Sequence, residues 1–142
     1  MNIKKTILVY ASVFFITFLV GCSSTQTTPL ASLEGINIHE ISKPMAENIM
    51  ISLANEDFSS FSRDFDEAMQ KAMTEPAFIE IRKMFWDEYG EYQSLSLTST
   101  STKQGYLLVF YSLKFEKGEV IMQVVHQPQP PHLVSGLWFP PK

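Results

Sequence analysis

The chain has 142 residues, with 11 Lys and Arg against 15 Asp and Glu and a formal net charge of −4. That acidic balance argues against nucleic acid and against electrostatic adhesion to anionic lipid, both of which need a basic face. The length suits one domain with a real core rather than two. A single cysteine excludes an internal disulfide framework.

Lys4 and Lys5 precede the apolar run Ile7–Val20, which ends in Leu19-Val20-Gly21-Cys22. The run is shorter than the about 20 residues that a hydrocarbon core requires. A basic start, a short apolar stretch and a small residue before a cut are the parts of a secretory signal peptide. The ending resembles the lipobox of bacterial lipoproteins, in which the cysteine is lipidated on sulfur and becomes the first mature residue. The resemblance implies a signal peptide over residues 1–21, lipidation at Cys22, and a domain held outside the cytoplasm at a cell membrane or outer membrane. The alternatives are a chance cysteine after an ordinary signal and an uncleaved signal anchor. Cys22 is the sole thiol, and lipidation consumes it. Two or more acyl chains anchor stably where one holds only marginally, each buried methylene contributing about 0.8 kcal/mol. With Lys4 and Lys5 removed, the mature chain is more acidic still, so attachment is expected from the lipid alone.

Residues 22–41 are Ser/Thr-rich and read as a tether, with a coil-like reach of roughly 25 Å. The domain is expected over residues 42–142. Ser42 is the expected N-cap of a first helix, with Pro44 in its first turn and Met45, Ile49, Met50 and Leu53 at helical spacing. Phe58, Phe61, Phe65, Ala68, Met69 and Ala72 predict a second helix, since all six fall within about 100° of arc. Asp66 and Glu67 lie on its opposite side. Thr74 caps a third helix, with Pro76 in the first turn, the apolar set Ala77, Ile81, Met84 and Phe85, and Gly90 as the C-terminal stop.

After Gly90 the period changes from 3.6 to 2. Tyr92–Thr100, Tyr106–Phe115, Val120–His126 and Val134–Phe139 predict four antiparallel strands, and helices followed by a meander predict an α+β fold. A tight turn centred on Lys117-Gly118 pairs Phe115 with Val120, Leu113 with Met122, Tyr111 with Val124 and Val109 with His126. Those residues share one apolar face, expected to meet the helices. A one-residue slip would invert it.

Ile51–Phe58 (Ile-Ser-Leu-Ala-Asn-Glu-Asp-Phe), Phe61, Asp64-Phe65-Asp66 and Met69 resemble the start of the domain of unknown function 3887 family. Phe115–Val120 (Phe-Glu-Lys-Gly-Glu-Val) and Gly136-Leu-Trp-Phe139 resemble its end. The resemblance covers roughly residues 44–139. It implies an NTF2-like cone in which three N-terminal helices cover a curved four-stranded sheet, a layout used by enzymes and by inert binding modules alike.

NTF2-like enzymes often use an acidic base, which makes Asp57 and Asp64, at the edge of the aromatic stripe, the catalytic candidates. The plainer reading has Asp57 capping a helix and Asp64 as an edge charge beside Arg63. His126 and Tyr111, on the core face, are candidates for hydrogen bonding to a ligand inside the cone. The plainer reading has His126 bonding a backbone carbonyl beside the Pro-rich loop Gln127–His132. His39, His126 and His132 lack metal-ligand spacing, and Met69 with Met73 read as core filling rather than a thioether copper site. Nucleophile and phosphate-loop motifs are missing. No metal and no cofactor are therefore expected. Trp86 beside Phe85, and Trp138 beside Phe139, each leave one aromatic either to face outward and meet a partner or to be shielded by the tether or the Pro-rich loop.

These readings favour a non-enzymatic, membrane-tethered module that binds a small ligand or an envelope partner. The rival is a small enzyme using Asp64 or Asp57 with His126. A cavity lined by His126 and a buried carboxylate favours the rival; a filled cone favours binding through the outer face.

Overall fold

A computed structural model of the chain describes residues 37–140. The lipobox, Cys22 and most of the expected tether lie outside the described residues. Helices α1 (Ile38–Ala54), α2 (Phe58–Phe61), α3 (Glu67–Ala72) and α4 (Glu75–Tyr89) come first. Strands β1 (Tyr92–Lys103), β2 (Tyr106–Phe115), β3 (Gly118–His126) and β4 (Val134–Trp138) follow, in the order β1-β2-β3-β4 and all antiparallel. The α+β architecture agrees with the sequence expectation, as does the helix-covered sheet face. Among the described residues no helix is long and apolar enough to cross a membrane.

Helix α1 starts at Ile38, so Ser42 is not its cap and the tail of the expected tether is helical. The cause is tertiary: Ser42 is fully buried and its hydroxyl is used by His126 on β3. Pro44 consequently lies inside the helix, where it leaves the Glu40 carbonyl without its usual partner.

The single helix expected from the Phe58–Ala72 stripe is two short ones, giving four helices rather than three among the described residues. Asp57 caps α2 by accepting from the Ser60 N–H at 3.0 Å, and Asp66 caps α3 by accepting from the Met69 N–H at 2.7 Å. Between them the chain turns to pair with β4. The Val134 N–H donates to the Asp64 carbonyl and the Asp66 N–H donates to the Val134 carbonyl, both at 2.9 Å. Phe61 and Phe65 still enter the core, edge to face at 5.1 Å. The hydrophobic period was right for Phe61 and Phe65, but Ala68 and Ala72 are exposed and the helix is broken, because strand pairing satisfies the backbone where the helix would have continued.

Helix α4 has the expected cap, first-turn Pro76 and stop: Thr74 accepts from the Ala77 N–H, and Gly90 has φ +78°. Its buried residues are Phe78 and Phe85, whereas Met84 is half exposed.

The β2–β3 turn is Glu116-Lys117, with Phe115 opposite Gly118, Leu113 opposite Val120, Tyr111 opposite Met122 and Leu107 opposite His126. This register is two residues from the expected one. Because side chains alternate with period two, every residue keeps its expected face. The α4–β1 junction selects this turn. Its carbonyls at Tyr89 and Glu91 accept from the Lys117 and Glu116 N–H groups, at 2.9 and 3.0 Å. The Tyr89 ring sits where a Cβ on Gly118 would point, 3.1 Å away. The β1–β2 turn is Gln104-Gly105, both with positive φ (52° and 84°), as a two-residue hairpin of the primed type requires.

Candidate functional site

On the helix side, the sheet presents Val109, Tyr111, Leu113, Met122 and Val124 to α1 and to Phe61 and Phe65, all of them buried. His126 belongs to this face and is fully buried. Its Nδ1 lies 2.8 Å from the His132 carbonyl, which can only accept, so Nδ1 carries the proton. Nε2, 2.7 Å from Ser42 Oγ, therefore accepts from the serine hydroxyl. Burial holds the imidazole pKa below its ordinary value, against the pull of the His132 carbonyl, and keeps the ring neutral. His132 in turn donates from Nδ1 to the Gln127 carbonyl at 2.9 Å, which folds the Pro-rich loop onto itself.

Tyr111 is equally buried, and its hydroxyl has no hydrogen-bond partner of normal geometry. Burial pushes the phenol pKa up, with the nearby Ser42 hydroxyl opposing and the Glu47 charge reinforcing the shift. Tyr111 lies opposite Met122 and His126 opposite Leu107, so the two are not diagonal neighbours; Ser42 stands between them.

The carboxylates lie elsewhere. Asp57 is exposed, and hydrogen bonds from the Ser60 side chain and N–H hold its pKa below the usual range. Asp64 accepts from Arg63 through both oxygens, Nε to Oδ1 at 3.1 Å and Nη2 to Oδ2 at 2.9 Å. It also accepts from Asn48 Nδ2 at 3.1 Å. Both ring nitrogens of His126 are taken by Ser42 and the His132 carbonyl, so neither Asp57 nor Asp64 meets the imidazole. The structure does not assemble an Asp/His pair. Among the described residues no group of three His, Cys, Asp or Glu is placed to hold a metal ion.

The face opposite the helices carries a groove of about 610 Å³, within the roughly 300–1,000 Å³ common for small-molecule sites. The hairpin tip supplies Lys103, Gln104 and Tyr106. Leu108 and Val125, paired across β2 and β3, form the floor, with Gln123 beside them. Trp138, Phe139 and Pro140 form the far wall. Trp138 is 54% exposed and Tyr106 43%.

Gly136 explains how Trp138 lies. It is paired with Val125, and a Cβ there would fall inside the Trp138 ring, so the indole folds back flat over Gly136. Trp138 is thus the outward member of its pair, whereas Phe139 packs edge to face on Phe85 at 4.6 Å. Phe85 is likewise buried, and Trp86 is half-buried under the Arg82 guanidinium, 5.1 Å from its ring centre.

Sequence reasoning singled out Trp138 but not its groove partners Leu108 and Val125, which lie on the sheet face turned away from the helices. Asp66 was also missed: it was read as a solvated charge and is nearly buried. It caps α3 and accepts from Gln127 Nε2 at 3.0 Å. An Asp immediately before a helical run was a capping signal available in the sequence.

Among known proteins, the model of the family described as protein of unknown function (DUF3887) matches residues 46–129. A solution structure of a SEC-C motif containing protein from Rhodopseudomonas palustris is similar, with a TM-score of 0.45 and 12% identity, over 70% of this chain and 89% of that one. A crystal structure of an NTF-2 like protein of unknown function from Burkholderia xenovorans is similar, with a TM-score of 0.37 and 10% identity, over 73% of this chain and 88% of that one. No curated protein matches the sequence.

Proposed function

The chain belongs to the DUF3887 family, and on that premise we propose a non-enzymatic binding module, lipid-anchored through Cys22 outside the cytoplasm, that takes a small apolar ligand in the groove on its outer sheet face. The observation that carries the reading is the contrast between the two faces of one sheet. The helix face is filled: Ser42, Tyr111 and His126 are completely buried, and the ring nitrogens of the histidine are both occupied. The outer face has an open groove with an apolar floor and an exposed indole. Apolar surface left open beside aromatic side chains is the usual mark of a binding site. The anchor reading rests on Lys4, Lys5 and the Leu19-Val20-Gly21-Cys22 ending.

A neutral photoreactive probe, a diazirine-bearing alkyl alcohol, tests the groove on the full-length protein in nanodiscs of zwitterionic lipid. Peptides carrying residues 103–110 and 134–140 are expected to label several-fold above those carrying the exposed helix residues Ile51 and Ile79, and Val125→Glu is expected to abolish the excess. Even labelling of sheet and helices would overturn the reading.

A further inference from the structure

The described lining of the groove carries one charge. Among the described residues, Lys103 is the single charged side chain of its lining, and Lys103 forms no ion pair. It stands at the end of β1, held by the Gln104-Gly105 turn directly opposite Tyr106. Among the described residues no carboxylate lines the groove, although the chain as a whole carries −4. The remaining polar lining comes from the amides of Gln104 and Gln123 and the Tyr106 hydroxyl, and the rest is hydrocarbon or aromatic.

A ligand complementary to this surface has an apolar body and one anionic end. We infer that the groove binds a free monocarboxylic acid with an acyl chain, its hydrocarbon lying along Leu108 and Val125 against the Trp138 indole and its carboxylate meeting Lys103. This deepens the proposed binding function and rests on it. A neutral alkane would leave the lysine unused, and a cationic amphiphile would be repelled by it. A sugar would leave the apolar floor formed by Leu108 and Val125 without a partner. The lysine adds a modest increment, since an exposed ion pair changes affinity about two- to five-fold, while the apolar contact supplies most of the binding. Gln123 lies on the outer face beside Val125, where its amide can turn toward the carboxylate or toward water.

The test uses the same full-length protein in nanodiscs and the same neutral photoprobe, now competed by octanoate or by octan-1-ol. Octanoate is expected to suppress groove labelling about two- to five-fold more effectively in the wild type than in Lys103→Met. Octan-1-ol is expected to compete equally in both. Comparing the two proteins within each competitor cancels unequal partition into lipid. Equal competition by octanoate in both proteins would overturn the acid assignment and leave the groove reading standing. Failure of the photoprobe to label the groove at all would bring down both. If protection instead comes from a second copy, shown by cross-linked dimers that octanoate does not disperse, the acid assignment is likewise overturned.

Discussion

His126 has a consequence for stability in acid. Its neutral ring is buried between Ser42 and the His132 carbonyl, with Tyr111 beyond the serine and His132 the titratable neighbour on the loop. Burial depresses its folded pKa below the ordinary value near 6.5. The unfolded chain therefore binds the proton first as pH falls. The stabilising contribution is complete above about 6.5 and is lost as pH falls from there toward the folded pKa, at most about 1.4 kcal/mol per pH unit. Urea midpoints are expected to decline between pH 7.5 and 5.5 more steeply for the wild type than for His126→Gln, whatever the absolute cost of the substitution; parallel declines would refute this account. Asp57 and Asp66, whose pKa values are lowered, act in a different window. Burial raises the Asp66 pKa, but the Met69 N–H, the nearby Ser135 hydroxyl, the Gln127 amide and the Ala68 N–H together outweigh it, so the stabilisation from Asp57 and Asp66 disappears only as pH falls below about 3.8. Gly136 supplies a second test at this scale. Gly136→Ala must push the Trp138 indole off the sheet, and because that ring is exposed the domain should lose less than about 1 kcal/mol. Groove labelling should nevertheless fall severalfold, since one wall has moved.

Elements were legible where the local signal and the tertiary contact agree. Helix α4 could be read end to end from Thr74, Pro76 and Gly90 because its caps are its own residues. The inward face of β2 and β3 was legible for a similar reason: alternation survives a register error of two. What the sequence hid was decided by distant partners. The break between α2 and α3 follows from Val134 bonding to Asp64 and Asp66. The early start of α1 follows from Ser42 reaching His126, 84 positions away in the chain. The groove was hidden because it joins a hairpin tip to the end of β4, and neither segment is apolar enough alone to announce it. The division of labour across the break can be measured. Phe65 is 1% exposed and should cost about 3–5 kcal/mol when truncated to Ala. Glu67, two residues on with its side chain 84% exposed, should cost less than about 0.5 kcal/mol. Asp66→Ala removes the α3 cap and the Gln127 contact together, and an intermediate loss of about 1–2 kcal/mol is expected. Urea midpoints in the order Glu67→Ala, Asp66→Ala, Phe65→Ala would bear this out, and an Asp66→Ala as mild as Glu67→Ala would contradict the capped break.

The start of the domain can be settled at the scale of the whole molecule, by two fragments. The sequence pattern placed it at residue 42, whereas α1 runs from Ile38 and brings Ile38 partly against the core and the His39 ring within 6.2 Å of Tyr111. A fragment of residues 42–142 lacks that first turn. It places Ser42 at a frayed helix end while still requiring its hydroxyl to reach His126. A fragment of residues 37–142 keeps both. Losing the turn should remove about 1–2 kcal/mol, from the apolar area of Ile38 and from weaker ordering of the buried Ser42. For a domain of this size each kcal/mol corresponds to about 4–8 °C in Tm. The longer fragment is thus expected to melt about 4–16 °C above the shorter one. Coincident melting curves would show that residues 38–41 are dispensable, and that Ser42 reaches His126 as well from a frayed end as from within a helix.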